Sequence, residues 1–200
     1  MIQSGTNAGG YGPYGENSVL LVIDVQVGVV ENGWDRDGML DRLAALIERA
    51  RVDGVPIVYV QHEGDHPDRA AGADGWRIHE RVAPEDGETV VAKRYPDAFA
   101  DTELANHLAS LGAGHLIVTG AQTDACVRST IHRAMGLGYD VTLVSDCHTT
   151  DDRTWESVTI TGEQIVAHLN MAIRYTAYPG QEISVRPHQE VVWNVTTATA

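Results

Sequence analysis

Short apolar runs alternate with segments of helical spacing along most of this chain, and this alternation constrains its fold more than any other feature. Residues 19–23 and 116–119 are almost entirely apolar, which is typical of strands buried on both faces. Because parallel strands need crossover connections, usually helices, the pattern predicts a three-layer α-β-α domain with a six-stranded, mainly parallel sheet. We place strands at 19–23, 56–60, 89–92, 116–119, 140–144 and 182–185, and helices at 40–50, 102–111, 126–135 and 162–173.

The chain is interpreted as one domain with an N-terminal arm and a C-terminal tail. Residues 1–17 are rich in Gly, Ser, Asn and Tyr and are predicted to form a flexible arm. Residues 18–200 form the single domain, with a C-terminal tail from about residue 175. Within that tail, 190–195 is either an extra edge strand or a segment that binds a partner. The long irregular stretch 61–88 is expected to be functional or a lid, because loops of that length are uncommon in compact domains.

Composition restricts the partners and the compartment. The net charge of −14 argues against nucleic acid and against an anionic membrane surface, since both require a basic protein surface. Two cysteines in 200 residues do not make a disulfide framework, which favours a reducing cytoplasm. The chain shows no secretory signal pattern, and no apolar run approaches the roughly 20 residues that span a bilayer. We therefore expect a cytoplasmic protein.

Cys126 occupies a position suited to a nucleophile. The run 115–120 is apolar and ends in glycine, and 126–135 follows as a predicted helix after the five residues 121–125. A thiol in the first turn of a helix feels unpaired N–H groups and the positive end of the helix dipole, which stabilise the reactive thiolate. A cysteine hydrolase is therefore favoured over a generic α/β domain.

Three ionisable residues follow three different predicted strands. They are Asp24, Lys93 and Cys126. Taken singly, each has an ordinary structural explanation: a loop cap, a solvated lysine and a small core residue. In a parallel α/β sheet, however, the site lies beyond the carboxyl ends of the strands, where these residues converge. A thiol, a base and a cation together are sufficient for hydrolysis.

The motifs around these residues extend the pattern. They are LVIDVQ at 21–26, VAKRYPDAF at 91–99 and GAQTDACV at 120–127, with GWRIHE at 75–80 as a further piece. In this order and spacing the chain, over about residues 18–173, resembles the isochorismatase-like cysteine hydrolase family, which includes nicotinamidases and N-carbamoylsarcosine amidase. The resemblance implies a Rossmann-like six-stranded parallel sheet with helices on both faces, and often a dimer or tetramer.

The resemblance also implies roles for individual residues. Asp24, Lys93 and Cys126 correspond to the family's catalytic triad, and the Ala121–Gln122 bond to its non-proline cis peptide. The backbone N–H groups of Gln122 and Cys126 would form the oxyanion hole. Cys126 would attack a small amide and form a thioester, with Asp24 acting in turn as base, acid and base.

A metal is the first alternative to weigh. Nicotinamidases carry an Asp-x-His pair after the second strand, and His62, Asp65, His66 and His79 are the residues here that could form a metal set. Their spacing does not match that pattern. We therefore predict a site without metal or other cofactor, with His62 as a pocket wall or substrate contact.

Further residues are predicted to shape the substrate pocket. Gln26 follows the catalytic aspartate and is expected to orient it or the substrate. Phe99 and Trp155 are pocket candidates, with core packing as an equally good interpretation. Cys147, just past the fifth strand, is interpreted as a bystander or packing residue because it has neither a helix start nor a triad position.

Three functions remain open on the sequence alone. The first is an amidohydrolase that acts on a small non-peptide amide. The second is hydrolysis of an isochorismate-type vinyl ether, which needs an acidic aspartate but no thiol. The third is a non-catalytic small-molecule binder on the same fold. A homo-oligomer is expected, with Tyr11, Tyr14 and the tail from Tyr175 packing on a neighbour.

Overall fold

The computed structural model describes residues 13, 15–64 and 67–195. Tyr11, Tyr14, Asp65, His66 and nearly all of the predicted arm lie outside this description. Within the described residues there are eight strands: β1 (Asn17–Ile23), β2 (Ile57–His62), β3 (Thr89–Lys93), β4 (Ala113–Ala121), β5 (Asp140–Thr149), β6 (Arg153–Trp155), β7 (Val158–Ile160) and β8 (Ile183–Arg186).

Six of these strands form one parallel sheet in the order β3-β2-β1-β4-β5-β8. The prediction of a six-stranded parallel sheet is confirmed. Each predicted strand is present, although β4 and β5 are longer than the apolar runs suggest because they continue toward the site through polar and small residues. The antiparallel hairpin of β6 and β7 is not predicted from the sequence.

Helices cover both faces of the sheet. They are α1 (Val27–Val30), α2 (Arg36–Val52), α3 (Leu104–Ser110), α4 (Arg128–Leu137) and α5 (Gly162–Arg174). Alternate residues of β1 point to opposite faces: Leu20 packs in the cluster that contains α2, and Leu21 packs in the cluster that contains α3, α4 and α5. The described part of the chain contains no helix that is both long and apolar enough to span a membrane.

The structure describes the backbone of both segments that the sequence left ambiguous, apart from residues 65 and 66, and the functional role of 61–88 stays a prediction. Residues 190–195 do not form the suggested edge strand. Instead a short turn at His188–Glu190 leads into irregular backbone, where Asn194 accepts from the Ser18 N–H at 2.8 Å and Trp193 lies under the Arg49 guanidinium at 4.3 Å. The long loop folds into single turns of 3₁₀-helix, at Pro67–Arg69, Asp74–Trp76 and Glu80–Val82.

The end of β4 depends on one glycine. Gly120 has φ +113°, and a Cβ there would collide with the carbonyl oxygen of Ile23 in neighbouring β1. The pairing of β4 with β5 shifts register between Val118 and Gly120, so the strand bends directly before the segment that carries Cys126. A residue without a side chain is therefore required where the sheet meets the site.

Replacing this glycine should destabilise the whole domain. We expect Gly120→Ala to lower the free energy of unfolding by roughly 2–4 kcal/mol, because it combines a disfavoured φ with a backbone collision. Gly136→Ala in α4 is the matched control, since a Cβ at Gly136 meets nothing within 4 Å. That change should stabilise by up to about 1 kcal/mol through helix propensity. Urea unfolding of both variants measures the difference, and equal stabilities would contradict this view of Gly120.

Candidate active site

The carboxyl ends of β1, β3 and β4 bring the three predicted catalytic side chains together. Lys93, the last residue of β3, places Nζ 2.6 Å from Asp24 Oδ2 and donates a hydrogen bond to Cys126 Sγ at 3.2 Å. Asp24 is 1% exposed and Lys93 is 2% exposed. A buried ammonium thus connects a buried carboxylate to the thiol.

Asp24 adopts an unusual backbone conformation. Its φ is +49°, in the left-handed region that is uncommon for residues other than glycine. Its N–H donates to Val60 O at 2.9 Å, and its own C=O accepts from the Gln26 N–H at 2.8 Å. Aspartate tolerates this region better than bulky or branched residues do. Neighbouring backbone therefore holds the chain reversal immediately after β1, where the carboxylate is needed.

Cys126 lies before the α-helix, and not in its first turn as the sequence predicts. It belongs to a single π-helical turn, Thr123–Val127, and the α-helix α4 starts only at Arg128. The Val127 N–H closes this turn by donating to Gln122 O at 3.2 Å. The Ala121–Gln122 peptide bond that precedes the turn is cis. Wide turns of this kind are frequently found at functional sites.

The packing around Cys126 opposes the thiolate that the start of a helix was expected to stabilise. Burial of the Cys126 thiol and the nearby Asp24 carboxylate both raise its pKa, while the Lys93 ammonium lowers it, and together they bring the pKa to about 12. Burial also raises the pKa of Asp24 above its ordinary value, against the lowering effect of Lys93. Desolvation outweighs the helix-start effect because Cys126 is largely covered by neighbouring residues. The resting proton is therefore on sulfur, and Asp24 is a stronger base than an exposed carboxylate.

His62 completes the surroundings of the ammonium. Its Nδ1 lies 3.2 Å from Lys93 Nζ. Asp24, His62 and Cys126 each offer a metal-ligand atom, and these atoms lie within 4.8 Å of one another. Such a set resembles a metal site, but Lys93 Nζ contacts all three residues and would repel a second cation.

A second set of potential metal ligands lies away from the triad. Asp146, Cys147 and His188 also place ligand atoms within 4.8 Å of one another. Here Asp146 accepts from both the backbone N–H and the Nδ1 of His188, at 2.8 and 2.7 Å, while Arg42 Nε lies 3.8 Å from the carboxylate.

His79, a member of the metal set considered from the sequence, has a structural role instead. Its Nδ1 accepts from the Arg81 N–H and caps a 3₁₀ turn.

Comparison with known proteins gives the family. Residues 18–168 match the model of the isochorismatase domain. The chain belongs to the isochorismatase family. This isochorismatase-family chain is 38% identical over 139 residues to streptothricin hydrolase of Streptomyces noursei, a match that covers 66% of the chain and 54% of the relative.

Other relatives extend the comparison. N-carbamoylsarcosine amidase of Arthrobacter is 29% identical over 155 residues, covering 63% of this chain and 57% of the amidase. The solved structure of an isochorismatase from Pseudomonas putida KT2440 superimposes with a TM-score of 0.76 at 29% identity, covering 88% of this chain and 90% of that one. The chain spans about half the length of the first curated relatives, 54% and 50% of two streptothricin hydrolases.

The predicted pocket residues of this isochorismatase-family chain take different positions. Gln26 is fully buried, and its amide bonds the backbone of His62 and Trp76, so it holds the walls of the site together. Phe99 stacks on Tyr139 with ring centroids 6.0 Å apart, as in the core-packing interpretation. Trp155 lies on the β6–β7 hairpin and is 79% exposed, and its contact with substrate stays a prediction. Cys147 is fully buried in the α2 side of the core, consistent with a packing role.

Sequence reasoning missed Arg153. From β6, its Nη2 donates to Gln122 Oε1 at 2.6 Å and its Nε donates to Asp124 Oδ2 at 2.9 Å. The Gln122 amide in turn donates to Asp151 Oδ2 at 3.1 Å. This network ties the hairpin to the turn that carries Cys126. The available signal was Asp124, an acidic residue inside the motif that carries Cys126, but the sequence did not indicate that its partner would be Arg153.

The Arg153–Asp124 pair should make stability depend on pH. Hydrogen bonds from Arg153 and Thr150 lower the pKa of Asp124, although burial opposes them. A lowered native pKa means that the contribution is present above the unfolded pKa, near 4, and is lost as the pH falls through the native value. Asp124→Asn should therefore cost about 1 kcal/mol at neutral pH, a value discounted for solvent screening, and less at pH 3 or below.

Urea unfolding of Asp124→Asn and wild type across this pH range measures the effect. Asp74→Asn is the control, since Asp74 pairs with Arg77 while its side chain is 95% exposed. No pH-dependent difference is expected there. A gap between wild type and Asp124→Asn that stays constant down to pH 2 would contradict the ion-pair explanation.

Proposed function

We propose that this chain is an amidohydrolase that cleaves a C–N bond of a small non-peptide amide through a thioester on Cys126. The observation that carries the proposal is the Lys93 ammonium, 2.6 Å from Asp24 and 3.2 Å from Cys126. This arrangement provides a nucleophile, a base and a fixed positive charge within one buried cluster. Family membership and the amidases among the relatives support the same reaction class.

The first step couples proton transfer to attack. With a thiol pKa of about 12, the thiolate is scarce at neutral pH, so the Sγ proton must move to Asp24 as sulfur bonds to the carbonyl carbon. The raised pKa of Asp24 favours its acceptance of this proton. Lys93 stays positive throughout and stabilises negative charge on sulfur and carboxylate in turn.

The remaining steps use the same groups. The backbone N–H groups of Gln122 and Cys126 bind the oxyanion of the tetrahedral intermediate, an effect commonly worth about 2.7–4 kcal/mol per donor. Protonated Asp24 then gives its proton to the leaving nitrogen, and the C–N bond breaks to leave a thioester. Asp24 next accepts a proton from water as the water oxygen attacks the thioester, and it returns that proton to the departing sulfur, so that the acid and the Cys126 thiol are released.

No step of this scheme uses a cofactor. Because members of the family often form dimers or tetramers, the proposal also includes a homo-oligomer. The side chains that select the substrate are not among the triad. They are expected around the mouth of the site, where the hairpin and the 61–88 loop lie.

The test is hydrolysis of a panel of small amides: nicotinamide, maleamate, biuret, N-carbamoyl amino acids, ureidoacrylate and a lactam. Ammonia release, with mass detection of the opened lactam, measures turnover. Cys126→Ala should lower kcat by about 10³-fold or more for any amide that is hydrolysed, because the nucleophile is lost. Cys147→Ala is the matched control and should retain turnover. Equal activity of Cys126→Ala and wild type would refute the thioester mechanism.

One observation also favours the second candidate. A buried aspartate with a raised pKa is a suitable general acid for protonating a vinyl ether such as isochorismate. In that reaction, cleavage of isochorismate would survive Cys126→Ser but be abolished by Asp24→Asn. The opposite pattern, or no cleavage by wild type, would eliminate this candidate.

A further inference from the structure

We propose that His62 is a positioning residue for Lys93: its Nδ1 accepts the third N–H of the ammonium and thereby directs the other two at Asp24 and Cys126. The catalytic consequence of this inference depends on the proposed function. Its structural content, the control of thiol reactivity through Lys93, does not.

The argument starts from the donor count. A lysine ammonium carries three N–H groups and no acceptor. Lys93 is 2% exposed, so these donors need partners within the protein. Three acceptors lie in reach: Asp24 Oδ2 at 2.6 Å, Cys126 Sγ at 3.2 Å and His62 Nδ1 at 3.2 Å. The contact with Asp24 is an ion pair and the contacts with Cys126 and His62 are hydrogen bonds, and together these three partners fix the rotation of the ammonium.

The same count of donors determines which ring nitrogen of His62 carries a proton. Because the ammonium only donates, Nδ1 must present its lone pair, and the ring proton of neutral His62 is on Nε2. An imidazolium would direct an N–H at a positive charge 3.2 Å away. The arrangement therefore requires the neutral imidazole.

The backbone holds His62 in register with Lys93. The two residues are direct neighbours across the parallel strands β2 and β3, so their side chains leave the sheet on the same face. The buried Gln26 amide clamps His62 from the other side, accepting from its N–H at 2.8 Å and donating to its C=O at 3.0 Å. The backbone of His62 is thus fixed by its strand pairing on one side and by Gln26, which follows β1, on the other.

Two substitutions separate the acceptor from the bulk of the ring. His62→Asn places an amide oxygen close to the position of Nδ1 and keeps an acceptor for Lys93. His62→Leu keeps a similar volume and removes the acceptor. In His62→Leu one buried N–H loses its partner, so the ammonium rotates and its hydrogen bond to sulfur weakens.

The reactivity of Cys126 toward iodoacetamide reports the effect without any substrate. Peptide mass mapping separates Cys126 from the buried Cys147, and thermal unfolding shows that each variant is folded. At mildly alkaline pH, we expect His62→Leu to slow alkylation by about tenfold, and His62→Asn to stay within about threefold of wild type, since a charge-assisted hydrogen bond is lost in one and kept in the other. Alkylation of folded His62→Leu at the wild-type rate would overturn the proposal, as would equal slowing in both variants.

With an amide that is hydrolysed, the same variants distinguish positioning from substrate contact. A positioning residue lowers kcat in His62→Leu and leaves KM nearly unchanged, with rescue by His62→Asn. A rise in KM alone would instead make His62 a substrate contact and would overturn the proposal. Failure of the amidase reaction itself would be recognised separately, by turnover that survives Cys126→Ala.

Discussion

The buried ammonium of Lys93 is the interaction on which the rest of the site depends. An isolated charge in a protein interior is strongly unfavourable, and the site makes it tolerable by surrounding it with acceptors from the residue after β1, from β2 and from the turn after β4. These elements are distant in sequence but adjacent in the sheet. The order of the parallel strands is therefore what allows one lysine to organise a carboxylate, an imidazole and a thiol at once.

The sheet provides this arrangement through irregularities at the ends of its strands. Asp24 takes a left-handed backbone conformation directly after β1, and Gly120 takes a positive φ against Ile23 of the same strand. If either strand continued regularly, its side chains would point above and below the sheet, and not past the strand ends into the site. The left-handed conformation of Asp24 is of a kind that persists where the surrounding fold over-determines it, and here it lies within the candidate site.

Much of the fold and of the candidate site could be predicted from the sequence. Apolar runs predicted the parallel sheet because strands buried on both faces leave a continuous signal, and the residues that follow three of them predicted the triad. The β6–β7 hairpin and Arg153 could not be predicted: the strands are three residues each and exposed, and Arg153 acts through Asp124 and Gln122, which are distant in sequence. The raised pKa of the Cys126 thiol could not be predicted either, because burial depends on packing from several elements, which local helix position does not reveal.

The protonated state of the resting thiol has a consequence for the chemical durability of the protein. Peroxides and related oxidants react with thiolates far faster than with thiols, and the products beyond sulfenic acid are irreversible. A cysteine whose pKa burial raises to about 12 is therefore a poor target for them at neutral pH. Under the proposed mechanism, the thiol becomes reactive only when a carbonyl carbon is close enough for proton transfer and bond formation to proceed together. The same mechanism would thereby keep the sulfur in a form that resists oxidation between turnovers.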